Sequence, residues 1–384
     1  MRRKVSYIAL IGVLVTLAMG CRREPILHLP GYNDITIEIP VVDLELETLW
    51  DYEIEYGVEY DWRAEWYYDW DEEDVSVFGN IGYDQPTIFN VRRYYTNDIP
   101  YSPHNSVLSD VIQGNTFRGD YNWGFWDILV WSEITPLHDD AQSLVLDEKL
   151  DSVTATTNQT MRTTRYQAPS FTRSFYQPEQ LFSAYEQAVE IDKSLEGFVY
   201  DEARKVWVKQ LSMMLRPITY IYLTQVILHH NNNKIQGVDG SANFSGMAMT
   251  TNLNTGVTGK TPITVGYNVR LKKNCDMNGE RVDIAGGRLL TFGIPDCNPM
   301  LINRYEEVND KVNHYMDVNM QFNNGIDSTF VFDITDQVRR HWKGGVITIE
   351  LDMDTIPVPR RSGGSAFDAV VKDYEDGGTH EFEM

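Results

Sequence analysis

Apolar residues alternate with polar ones along much of this chain, and a period of two commits a segment to extended strand with one face buried. Ile35, Ile37 and Ile39 show it first, and Leu44 and Leu46 repeat it after Pro40. The same habit, or a short run rich in β-branched and aromatic residues, predicts strands over Ile88 to Tyr95, Phe125 to Trp131, Lys205 to Leu215 and Ile218 to Leu228. Later strands are predicted over Ile263 to Leu271, Val312 to Phe322, Thr329 to Ile334 and Val346 to Met353. Asn231-Asn232-Asn233, Asp239-Gly240 and Asn323-Asn324-Gly325 punctuate them, and these residue types tolerate the backbone of tight turns. One segment departs from the rule. After Pro178, the residues Leu181, Phe182, Tyr185, Ala188 and Val189 fall at helical spacing, which predicts an amphipathic helix of about four turns. Strand patterning resumes at Lys205, so a boundary is expected near Gly197–Glu202 between an N-terminal domain over 34–199 and a C-terminal domain over 200–384. The expected fold is mainly β, two tandem antiparallel β-sandwich domains with one short helix between them.

The N-terminus reads as an export signal. Arg2, Arg3 and Lys4 precede an apolar run from Tyr7 to Met19, too short to cross a bilayer comfortably, and the run ends in Leu17-Ala18-Met19-Gly20-Cys21. Residues 1–20 are therefore expected to be a signal peptide and Cys21 the lipidated first residue of the mature chain, although Ala18 stands where such motifs more often carry leucine. Residues 21–33, with two prolines and a glycine and no sustained period, suit a tether. Two or three acyl chains on Cys21 would hold the protein stably at a membrane, where one would not. The expected location is the outer membrane, on its periplasmic or its cell-surface face. A formal charge of −23 argues against nucleic acid as a partner and against docking on anionic lipid, so the membrane link would be covalent. With Cys21 lipidated, Cys275 and Cys297 remain, either as a disulfide of an oxidising compartment or as two buried thiols.

Chemistry-bearing residues concentrate between Trp50 and Asp74. Trp50, Trp62, Trp66 and Trp70 are interleaved there with eleven acids that include Asp51, Asp69, Asp71 and Asp74. Aromatic rings beside carboxylates are the ingredients of sugar binding, with Trp62, Trp66 and Trp70 as stacking surfaces, and of glycoside hydrolysis, with two carboxyls flanking the scissile bond. Asp69 and Asp71 would share one face of a strand about 7 Å apart, within the range such a pair needs. The plainer reading has the tryptophans packing beneath a loop and the acids solvated, and so dense a set of acids offers no apolar pocket to separate two carboxyl pKa values. Other motifs fail by a named residue. Thr255 to Thr261 lacks the first glycine of a phosphate loop, where Asn254 stands, and Pro262 opens a strand instead of a helix. His229 and His230 are adjacent, so on a strand they point to opposite faces and do not share a metal. No zinc-spaced cysteine pair and no nucleophile elbow occurs. No enzyme activity, cofactor or metal is expected.

Cys21-Arg22-Arg23-Glu24, Trp50-Asp51-Tyr52, the stretch from Gly119 to Trp131, Phe244-Ser245-Gly246-Met247-Ala248 followed by Asn252-Leu253-Asn254-Thr255-Gly256, Phe332-Asp333-Ile334-Thr335, and Gly363 to Tyr374 together resemble the Bacteroidales lipoproteins related to fimbrillin-type anchor and accessory proteins, whose domain carries no assigned function. The resemblance covers most of the mature chain. It implies a pair of transthyretin-like β-sandwiches, a lipid anchor in the outer membrane and a non-catalytic role at the cell surface or in fimbria assembly, with fimbrial subunits as partners. A glycan-binding surface lipoprotein using residues 50–74 is the alternative. If Cys21 carries the anchor, metabolic labelling with a tagged fatty acid will mark the wild-type protein and leave Cys21→Ala unlabelled; label on the variant would refute the assignment.

Overall fold

The computed structural model describes residues 41–48, 64–96, 100–134, 144–150, 152–160, 174–192, 194–303, 307–308, 310–360 and 369–371. Its strands in chain order are β1 (Val41–Thr48), β2 (Ile88–Tyr95), β3 (Ser106–Gln113), β4 (Thr116–Asp120), β5 (Gly124–Ser132), β6 (Leu144–Glu148), β7 (Val153–Thr157), β8 (Ser174–Tyr176), β9 (Phe182–Ile191), β10 (Val199–Asp201) and β11 (Val206–Pro217). There follow β12 (Tyr220–His229), β13 (Ile235–Ala248), β14 (Thr250–Asn252), β15 (Pro262–Asn268), β16 (Arg270–Met277), β17 (Glu280–Thr291), β18 (Tyr315–Phe322), β19 (Asp327–Asp333), β20 (Gly345–Asp352) and β21 (Ala369–Val371). Two short helices, α1 (Glu72–Phe78) and α2 (Thr335–Arg340), accompany them. The protein is mainly β and largely antiparallel, as the alternation predicts. The Ile35, Ile37 and Ile39 strand lies outside the described residues.

The first sheet runs β3-β2-β5-β9-β11-β1-β4, with β10 also on β11. Strand β11 turns its corner: its Pro217 end pairs with Phe182 of β9, while Val208 to Leu215 pair in parallel with β1. Phe89, Val91, Phe117, Trp126, Ile128, Val130, Phe182, Ile191 and Leu215 meet inside the resulting curve as one core. Beyond Pro217 the chain enters a different pair of sheets, β16-β17-β12-β20 and β21-β19-β18-β13-β15-β8. These two pack face to face over Tyr222, Val226, Leu289 and Ile349 from one and Phe244, Val265, Met316, Val318 and Phe330 from the other. That is the burial pattern of a β-sandwich. Strand β11 pairs with β1, β9 and β10, whereas β12 pairs with β17 and β20, and β8 has already joined β15. A small sheet, β14-β7-β6, joins the halves through Leu144, Val153, Ala155, Leu253 and Phe292, which pack with Leu129 and Trp131 of β5.

The helix expected after Pro178 is strand β9 instead, and a β-bulge explains the misreading. Phe182 and Ala184 face the first core while Leu181 and Tyr185 face the opposite side, as a strand requires. At Ala188 the backbone turns left-handed, with φ 57°, and the register against β5 shifts between Trp126 and Ile128. The extra residue reverses the parity, so Val189 and Ile191 now face the core. Buried Asp127 holds the bulge by accepting the Ala188 N–H at 2.8 Å, and its second oxygen accepts the Tyr185 hydroxyl at 2.8 Å and lies 2.8 Å from His104 Nε2. A second difference falls in the segment Ile263 to Leu271. It divides into β15 and β16, which belong to opposite sheets, and Val269 marks the crossing inside the core.

On the other face of the β13–β18 pair lies a buried polar row, in which Asn243 donates to Asp317 at 2.8 Å and Ser245 bonds Thr264 at 2.9 Å. Burial pushes the Asp317 carboxyl up to about 7, only partly offset by Asn243. The folded state then retains a proton that the unfolded chain releases between about pH 4 and 7, so this group's contribution to stability falls as pH rises through that window. Buried His341, held down at about 4 by burial and by Arg340, has the opposite slope: its contribution is lost as pH falls from about 6.5 towards 4. Asp317→Asn should therefore raise the urea midpoint most at pH 8, by the equivalent of a few kcal/mol (roughly), with the gain vanishing near pH 4. A gain independent of pH would contradict the buried acid.

Candidate functional site

Of the acidic aromatic segment, Trp50, Asp51 and Trp62 lie outside the described residues, as does Cys21. The described part, from Ala64 to Tyr83, is a strap laid across the outer face of β12, β17 and β16. That face is apolar. Ile221, Leu223, Leu290 and Val346 form one patch and Ile227, Cys275, Val282 and Ile284 a second, and Trp66, Tyr67, Tyr68, Trp70, Ile81 and Tyr83 cover them.

Each end of the strap is pinned by a polar group sent outward from the sheet. Gln225, buried at mid-strand in β12, accepts the Tyr67 N–H at 3.0 Å and donates to the Glu65 carbonyl at 2.5 Å. Arg288 of β17 donates to the carbonyls of Ile81 and Gly82, both at 3.2 Å. Tyr83 then donates its hydroxyl to the Thr219 carbonyl at 2.8 Å. At the centre Tyr68 lies flat on Gly286 of β17, where any Cβ would penetrate the ring. Gly286 is thus a contact requirement, since the ring needs the bare backbone.

Helix α1 follows because Asp71 and Asp74 form a capping box. The Asp71 carboxylate accepts the N–H groups of Glu73 at 2.9 Å and Asp74 at 3.0 Å, and Asp74 accepts the Asp71 N–H at 3.0 Å. The remaining capacity of Asp74, which is wholly buried, goes to the Tyr68 hydroxyl at 2.9 Å, Arg270 at 2.6 Å and Lys272 at 2.8 Å. Lys272 also pairs with Asp71, and Arg270 with Glu73 at 2.7 Å. Strand β16 places Arg270 and Lys272 two residues apart and so on one face. The Lys272 contact, helped by the Asp74 N–H, holds the Asp71 carboxyl well below the ordinary carboxylate range. Burial and the hydrogen bond to Asp74 push the Tyr68 phenol far above its ordinary value.

The strap therefore corrects part of the sequence reading. Asp69 and Asp71 do not share a strand face, because the chain there is irregular and then helical. Asp71 is a helix cap and an ion-pair partner of Lys272. Trp66 and Trp70 are half-buried, with ring centroids 6.3 Å apart; Trp66 lies 5.6 Å from Tyr68 and Trp70 lies 5.1 Å from Phe78. Stacking on a sugar needs an open ring face, whereas these rings pack against the sheet and one another. Cys275 and Cys297 do not pair: both are free thiols. Cys275 sits beneath the strap and Cys297 against the sandwich core, in different apolar clusters, and burial pushes the Cys297 thiol up to about 11 and raises that of Cys275. His229 and His230 each engage separate carboxylates at the end of β12. Tyr68, Gln225, Arg270, Lys272, Gly286 and Arg288 were not singled out from sequence; the capping pattern Asp71-x-x-Asp74 was the one local signal available.

The fold is mainly β, and the described part of the acidic aromatic segment packs its rings against a sheet. No protein-family model matches the chain, and no curated protein sequence does. Among solved structures, it is similar to a candidate adhesin from Bacteroides ovatus, at 14% identity and TM-score 0.43 over 86% of this chain and 96% of that one. A candidate adhesin from Bacteroides thetaiotaomicron aligns at 9% identity and TM-score 0.43 over 82% of this chain and 93% of that one. The fimbrial anchor protein Mfa2 from Porphyromonas gingivalis aligns at 12% identity and TM-score 0.37 over 81% of this chain and 90% of that one. No helix among the described residues is long and apolar enough to cross a membrane.

Removing the strap's central ring should be costly: Tyr68→Ala should lower stability by about 3–5 kcal/mol, the range for a buried aromatic. Gly286→Ala should cost about 1–3 kcal/mol in the wild type but little in the Tyr68→Ala background. Chemical denaturation of the four proteins measures the coupling, and additive losses would mean that the ring and the glycine do not meet.

Proposed function

We propose that this protein is a non-catalytic, lipid-anchored cell-surface protein serving as an anchor or accessory of a fimbria. The observation that carries the proposal is the joining of two features in one chain: a signal-like N-terminus ending at Cys21, and a mainly β body in which the described tryptophans Trp66 and Trp70 pack against a sheet. A short tether over 21–33 would place that body beside the membrane. Asp71 and Asp74 of the acidic aromatic segment are held by a helix cap and two cations. The proposal rests on these features of the chain itself; the adhesin and fimbrial names of its fold neighbours are of the same kind. The expected division into two β units, over 34–199 and 200–384, belongs to it as well.

Purification from detergent-solubilised cells under mild conditions tests the role. The wild-type protein should bring down a fimbrial subunit, and Cys21→Ala should be released from the membrane fraction. Capture of polysaccharide with no fimbrial subunit would reverse the reading in favour of a glycan-binding lipoprotein, and turnover of aryl glycosides would refute its non-catalytic part.

A further inference from the structure

Strands β12 and β20 run parallel and finish side by side, with His229 opposite Asp352. The His229 carbonyl accepts the Met353 N–H at 2.9 Å, after which the first strand leaves the sheet. His230, at φ 52°, and then Asn232 and Asn233 adopt left-handed backbone. His230 is thereby freed from strand alternation and reaches the end of β20, where its Nδ1 lies 3.0 Å from Asp352 Oδ1 and 4.0 Å from Asp354 Oδ2. The three side chains offer one imidazole nitrogen and two carboxylate oxygens, all within 4.8 Å of one another, and all are open to solvent. Asp352 is fixed from behind by the Asp354 N–H at 3.0 Å. Beside them His229 bridges Glu280 at 3.2 Å and Glu350 at 2.9 Å, so four carboxylates surround two imidazoles at this corner.

We propose that His230, Asp352 and Asp354 form a binding site for one divalent transition-metal ion of the zinc class, with water in the remaining coordination. Zinc takes imidazole nitrogen and carboxylate oxygen at about 2.0–2.2 Å in a tetrahedron, which sets its ligand atoms roughly 3.4 Å apart. The separations of 3.0 and 4.0 Å bracket that value and all three atoms lie within 4.8 Å of one another, so the set closes on an ion if the His230–Asp352 contact opens slightly and the exposed Asp354 carboxylate turns inward. The nitrogen ligand decides the metal class, because calcium and magnesium take oxygen ligands while imidazole suits zinc, copper and nickel. The ion takes the Nδ1 lone pair of the neutral imidazole, in the place where the unmetallated ring meets Asp352. The site lies apart from the strap and does not depend on the fimbrial proposal.

Calorimetric titration of zinc chloride into the full chain at neutral pH tests the site, comparing wild type with His230→Ala, Asp354→Asn and Glu280→Gln. Circular dichroism first confirms that the variants share the wild-type fold. The wild type should bind one ion that both His230→Ala and Asp354→Asn lose or bind at least about tenfold more weakly. Glu280→Gln should keep that ion. Other histidines and thiols contribute equally to all four proteins and subtract out. Equal binding by His230→Ala and the wild type, an equal loss in Glu280→Gln, or displacement by millimolar calcium would overturn the proposal and leave a diffuse acidic surface.

Discussion

A β-sheet with two apolar faces cannot stand with one of them in water, and the sheet built on β12 and β17 has two. Its inner face closes a sandwich; its outer face exposes Ile221, Leu223, Ile227, Ile284 and Leu290 to whatever covers them. The strap from Ala64 to Tyr83 covers them, and one buried carboxylate holds its middle. Asp74 gathers a phenol and a backbone N–H from the strap and a guanidinium and an ammonium from β16. Burial of a lone carboxylate would be prohibitive, whereas a carboxylate with both oxygens satisfied and two cations beside it fixes where the strap lies. The aromatic rings supply the burial, and the polar latch supplies the register.

The same logic reaches the rest of the molecule through the strap's far end. Arg288 grips Ile81 and Gly82, Tyr83 grips Thr219, and Asp84 exchanges hydrogen bonds with Gln180 just before β9. The strap thus leads from the sandwich directly into β2 of the first sheet. Together with the cluster of Leu144, Val153, Leu253 and Phe292, it ties the two halves by apolar packing as well as by the covalent chain.

Legibility from the sequence follows the range of the interactions concerned. Strands such as β2 and β20 were readable nearly to the residue, since alternation or a β-branched run is set by neighbours two positions away. β9 was misread because one bulge residue converts spacing of two into spacing that imitates a helix, and the bulge is held by Asp127 from another strand. β15 and β16 were joined because an apolar run does not reveal that the chain changes sheets at Val269. The aromatic acidic segment was noticed, but its role turned on Gly286, Arg270 and Lys272, roughly two hundred residues further along the chain.

By itself the sequence determined that this is a β protein with its turns at Asn- and Gly-rich breaks, that it is strongly acidic, and that Cys21 ends a signal-like run. These are properties of composition and of residues close in the chain. Only the tertiary structure decided that Trp66, Tyr68 and Trp70 form a packed cover latched by Asp74, that Cys275 and Cys297 stay apart, and that His230 meets Asp352 and Asp354. Those outcomes depend on which strand ends and sheet faces come together, and local periodicity carries no information about partners so distant in sequence.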